Sequence, residues 1–111
     1  MPDNNSLARV VLTTAADADE ATRLAHTLVE ERLVACATLI PSVRSIYRWQ
    51  GEVEDSTEIL LLLKTGPDQI AALQTRLHAL HSYKTPEFLV LRVESGSQGY
   101  LEWLQAGLRK P

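Results

Sequence analysis

His78 and His81 are three residues apart, and in a helix they would lie about 60° apart around its axis. A histidine pair on one helical face can hold a transition metal. Two imidazoles leave the coordination incomplete, however, and no neighbouring Cys or Asp completes it in sequence. The plainer reading is therefore a pair of packed or solvated histidines. His26 reads as a surface residue. Cys36 stands between Ala35 and Ala37, with no cation beside it to lower its pKa. It reads as a buried structural thiol, with the softness of a Cu(I) ligand if space permits. Lys64 closes an apolar run, so its amine must reach solvent, a carboxylate or a ligand. Glu58, Glu87 and the Tyr83 hydroxyl are its candidate partners, in either a structural ion pair or a ligand site. Glu58 or Glu87 as base and Tyr83 as acid could also serve a small hydrolase or isomerase, given a raised carboxyl pKa in a water-poor cleft. The chain has no glycine-rich phosphate loop, nucleophile elbow, paired-Cys motif or HExxH. No assembled catalytic machinery is visible, and an enzyme is not expected.

These groups are carried on 111 residues, 45% of them hydrophobic. That length supports one domain over residues 1–111, with 1–6 expected to be flexible. Eleven Lys and Arg against 14 Asp and Glu give a net charge of −3. Such a balance argues against nucleic acid or an anionic membrane as partner, because both need clustered positive charge. No apolar run approaches the roughly 20 residues of a membrane span. The segment Met1 to Ser6 lacks the basic start and apolar core of an export signal. A single cysteine excludes an internal disulfide framework, and the expected location is cytoplasmic.

The hydrophobic pattern supplies the elements. Leu7 to Ala15 reads as a strand around Val10, Val11 and Leu12. Asp17 or Asp19 can cap a helix to about Arg32, whose apolar face is Ala21, Leu24, Ala25, Leu28 and Val29. Glu20, Arg23, Glu30 and Glu31 fall largely off that face. Cys36 to Trp49 is a long strand with a bulge or bend expected at Pro41. Gln50-Gly51 offers a tight turn, and Glu52 to Thr65 returns. The run Ile59 to Leu63 is apolar at every position, so that half should be covered on both faces. Pro67 opens a helix to about Ser82; Phe88 to Val93 is a short strand; Tyr100 to about Arg109 is a last helix. The order defines an α+β, ferredoxin-like βαββαβ fold with a C-terminal helix: a four-stranded antiparallel sheet with two helices on one face. RNA-binding domains of this class need exposed sheet aromatics, which a leucine-rich central strand does not supply.

The hairpin is too long for the body. Two segments of about 13 residues, at about 3.3 Å each, reach about 43 Å, against a radius of gyration near 13 Å for a 100-residue domain. Its outer half still carries Val43, Ile46, Tyr47, Trp49 and Val53. An isolated ribbon is marginal in water and its edges invite pairing. The arm, with Tyr47, Trp49 and Val53, is therefore expected to lie on another copy of the chain, in a homo-oligomer of cyclic symmetry. A two-residue loop at Gln50-Gly51 sets Trp49 opposite Glu52, Tyr47 opposite Glu54 and Ile46 opposite Asp55. Arg44 and Arg48 then flank Asp55, either as a charge cluster holding register or as a pair that binds an anion.

The runs Glu31 to Pro41 and Val43 to Gly51, with Leu63-Lys64-Thr65, His81 to Glu87 and Tyr100 to Trp103, resemble the signature of the CutA family of divalent-cation tolerance proteins. The resemblance covers about residues 8 to 109. It implies a tight trimer with strands crossing between subunits, an architecture like that of PII signalling proteins, and no assigned reaction. It also implies copper tolerance with binding of Cu(II) or other divalent ions, although no cofactor is required. Copper-binding members present a Cys just after the first strand and adjacent histidines before Tyr-x-x-Pro-Glu. Those positions hold Thr13, Leu80 and His81 here, so the resemblance leaves His81, with His78 or carboxylates, as a weaker metal candidate. Trp49, Glu58, Lys64, Tyr83 and Glu87 resemble the family's pocket between subunits. In a PII-like alternative, Arg44, Arg48 and Lys64 would hold an anionic metabolite or nucleotide.

Overall fold

The structure is a computed structural model, described over residues 7–109. The expected flexibility of residues 1–6 concerns positions outside the described residues. Strand β1 (Arg9–Ala15) leads into helix α1 (Ala18–Glu30). The Asp17 carboxylate caps α1 by accepting the Glu20 N–H at 2.8 Å. The helix ends two residues earlier than its apolar pattern suggests. Arg32 turns left-handed at φ 59°, while the N–H groups of Arg32 and Leu33 donate to the carbonyls of Val29 and Leu28. This is a Schellman closure with arginine where glycine is usual.

Strands β2 (Cys36–Trp49) and β3 (Glu52–Thr65) form the long hairpin. Its register is Trp49 opposite Glu52, Tyr47 opposite Glu54 and Ile46 opposite Asp55, as the two-residue loop requires. Both loop residues have positive φ, 51° at Gln50 and 83° at Gly51, the twist that suits a right-handed ribbon. The irregularity expected at Pro41 is a register shift between Ile40 and Val43, with Ser42 at φ 60°. Pro67 opens a 3-10 turn (Pro67–Gln69) rather than the helix proper, and α2 follows (Ile70–Leu80). A four-residue strand β4 (Leu89–Arg92) and helix α3 (Gln98–Leu108) complete the chain; α3 begins two residues before the expected Tyr100.

The sheet is antiparallel in the order β2-β3-β1-β4. Val11 and Ala15 of β1 and Ile59, Leu61 and Leu63 of β3 pack with Leu24 and Leu28 of α1 and Leu73 and Leu77 of α2. Alternation turns the intervening side chains to the other face. Cross-strand pairing puts Val10, Leu12, Ile40, Leu60, Leu62, Leu89 and Leu91 there together. No helix of the described residues covers that face: α3 packs Leu101, Leu104 and Leu108 on Ala8 instead. The leucine run is thus double-faced, as expected, but within one chain only one of its faces is buried. The molecule measures 49 × 27 × 23 Å with a radius of gyration of 14.8 Å, its length set by the projecting hairpin. No helix of the described residues is long and apolar enough to cross a membrane.

Candidate ligand cleft

A cavity of about 680 Å³ opens where the arm leaves the sheet, walled by the arm on one side and the loop after α2 on the other. The alternation that exposes the apolar sheet face continues into the arm. Tyr47 and Trp49 therefore project on the same side as Glu58, and Arg44 and Arg48 on the opposite side. Glu58, only 6% exposed, accepts a 2.7 Å hydrogen bond from the Tyr83 hydroxyl. Lys84 and Glu87 of the same loop also line the space.

The loop is held by a buried polar cluster. Nε2 of His81 lies 2.7 Å from the Thr14 carbonyl oxygen, and its Nδ1 is 3.0 Å from the Tyr83 backbone N–H. A carbonyl can only accept and an N–H can only donate, so His81 is the neutral Nε2–H tautomer with both nitrogens engaged. Glu20 receives the Ser82 N–H at 2.7 Å and the Ser82 hydroxyl at 2.9 Å, and its Oε2 stands 3.7 Å from His81 Nδ1. Burial works against the Glu20 carboxylate, but the hydrogen bonds from Ser82 and Ala16 outweigh it and hold its pKa below the usual carboxyl value. Burial and the hydrogen bond to the Glu58 carboxylate push the Tyr83 phenol well above its usual range.

Glu20 is the residue the sequence reading misplaced. Only 5% exposed, it is turned inward from α1 to a loop 62 residues away. The Asp17-x-x-Glu20 spacing of a capping box was the available signal, and Glu20 Oε1 does receive the Ala16 N–H at 3.4 Å.

Of the residues singled out for a cleft, Trp49, Glu58, Tyr83 and Glu87 line one cavity. Lys64 does not join them. It lies on the same face six residues beyond Glu58, about 20 Å along the strand, and its Nζ donates to Thr38 Oγ1 at 3.2 Å with Cys36 Sγ at 3.9 Å. Neither carboxylate nor Tyr83 is its partner. Cys36 is correspondingly half-buried on the open sheet face rather than in the core. Arg44 binds Asp55 through two hydrogen bonds of 3.0 and 2.6 Å, the register-holding role. Arg48 does not share that carboxylate and instead donates to the Gly51 carbonyl at 3.2 Å.

His78 is exposed, with Nδ1 2.8 Å from the Gln74 carbonyl oxygen, whereas His81 is buried. The two do not form a site together, and among the described residues no three His, Cys, Asp or Glu side chains converge as a metal cluster would. The copper design implied by the resemblance does not fit these residues. Thr13 is fully buried, its Oγ1 has no hydrogen-bond partner among the described residues, and a neutral hydroxyl is a poor copper ligand. Leu80 has no donor atom, and the ring nitrogens of His81 are spent on the loop.

A ferredoxin-like α+β chain with a projecting two-stranded arm and a carboxylate-aromatic cleft at its root is the class these features define. Residues 9–107 match the family model described as CutA1 divalent ion tolerance protein. The chain belongs to the CutA family. It is 48% identical over 100 residues to a divalent-cation tolerance protein CutA of Pectobacterium atrosepticum, covering 90% of this chain and 91% of that relative. The fold superposes on the crystal structure of CutA from Xylella fastidiosa with a TM-score of 0.91 and 39% identity, covering 94% of this chain and all of the other. A CutA structure from Archaeoglobus fulgidus, described as periplasmic, gives 0.89 at 30% identity, over 93% of this chain and 100% of that one.

Proposed function

We propose that this chain serves divalent-cation tolerance as a non-enzymatic cytoplasmic homotrimer that holds no tightly bound metal of its own and uses the cleft at the arm's root as its ligand site. The observation that carries the reading is the uncovered apolar surface of the open sheet face, which continues along the same side of the arm to Tyr47 and Trp49, while Ile46 and Val53 stay bare on the arm's other side. A contiguous surface of this kind is where a partner sits, and identical arms on identical faces close under cyclic symmetry. The family resemblance supplies the number three. Divalent cations such as Cu(II) would associate weakly, through the carboxylates of Glu58 and Glu87.

We assign no reaction to the cleft. Glu58 and Tyr83 hold one another, and a phenol with a raised pKa is a poor proton donor at neutral pH. Titration calorimetry with Cu(II) tests the reading. The expected result is a Kd above about 1 µM, little changed in Thr13→Val; tight stoichiometric Cu(II) binding would overturn it.

A further inference from the structure

We propose that the cleft binds a small organic ammonium ion, with its charge on Glu58 and its hydrocarbon against Tyr47, whose hydroxyl leans toward Glu58 onto Ser56. This deepens the ligand role given to the cleft above and rests on it, but not on the number of subunits. A volume of about 680 Å³ suits a small molecule.

The lining selects the sign of the charge. A carboxylate 94% removed from water needs compensation, and among the described residues Glu58 has one hydrogen-bond partner, Tyr83, on Oε2. A carboxylate can accept about four hydrogen bonds, so Oε1 is available to an N–H donor. Three aromatic rings, those of Tyr47, Trp49 and Tyr83, line the same cavity, and ring faces attract cations. An anion would meet Glu58 and Glu87 with only Lys84 to favour it. The cations that could have helped are elsewhere: Arg44 on Asp55, Arg48 on the turn carbonyl, Lys64 on Thr38. A hard divalent metal ion takes six or more oxygen ligands and gains nothing from the rings. An ammonium group on an apolar body uses both halves of the lining.

The test uses the full chain carrying Trp103→Phe, so that Trp49 is the single indole. Its fluorescence is followed against benzylammonium, benzyl alcohol and benzoate at neutral pH, with native mass measured on the same samples. Saturable binding of benzylammonium is expected, at least tenfold tighter than either of the others. Glu58→Gln should weaken it at least tenfold. Tyr47→Leu, which keeps both carboxylates, should weaken it severalfold and serves if the Glu58 variant fails to fold. Benzoate binding as tightly as the amine, no saturable response to any of the three, or Zn(II) displacing benzylammonium at a lower concentration than the amine itself would overturn the proposal. A monomeric native mass with amine binding intact would count against the assembly reading alone.

Discussion

Glu20 and His81 set the geometry of the cleft without lining it. The Glu20 carboxylate joins the first turn of α1 to Ser82, and His81 joins β1 to Tyr83, whose hydroxyl reaches Glu58. Hydrogen bonds to a buried charged group are worth about 1.5–3 kcal/mol, so Glu20→Gln, which sets an amide against the Ser82 donors, should cost about 2 kcal/mol at neutral pH. The sign with pH follows from the lowered carboxyl pKa. The stabilisation is fully present above the ordinary value of 4.5 and is lost as pH falls through the folded-state value. Urea unfolding at fixed protein concentration should show wild type and Glu20→Gln separated at pH 7 and converging in acid; a gap that widens on acidification would contradict this.

Among the elements, the hairpin was the most legible, because a period of two and a two-residue turn leave little freedom in register. The bulge after Ile40 followed from a proline that cannot donate to the ladder. Helix ends were less legible, since Arg32 closes α1 in a conformation that favours glycine. Least legible were Lys64 and Glu20. Six strand residues, about 20 Å, separate Lys64 from Glu58, a gap that their shared face does not bridge, and the inward turn of Glu20 depends on Ser82 arriving from the far end of α2. The turn itself carries a prediction. Gln50 holds a left-handed conformation that asparagine adopts more readily, so Gln50→Asn should raise stability by about 0.5 kcal/mol, read as a higher midpoint in thermal unfolding. Arg44 and Asp55 are a solvent-exposed pair, and Asp55→Asn should leave that midpoint nearly unchanged.

At the scale of the whole molecule, one physical fact governs the account. A chain of this size has extended its sheet into an arm that it cannot shelter, leaving Ile46 65% and Val53 63% exposed at one end and the β4 edge bare at the other. Val53 lies on the face of the ribbon opposite Tyr47 and Trp49 and does not line the cleft, so it can be changed without touching that site. Val53→Asp should then weaken assembly while leaving each chain folded, seen as a smaller native mass with the circular dichroism of the wild type. The most direct test is sedimentation equilibrium of the unaltered protein at micromolar concentration. A single species with three times the mass of the chain is expected; a folded monomer under those conditions would rule out the assembly.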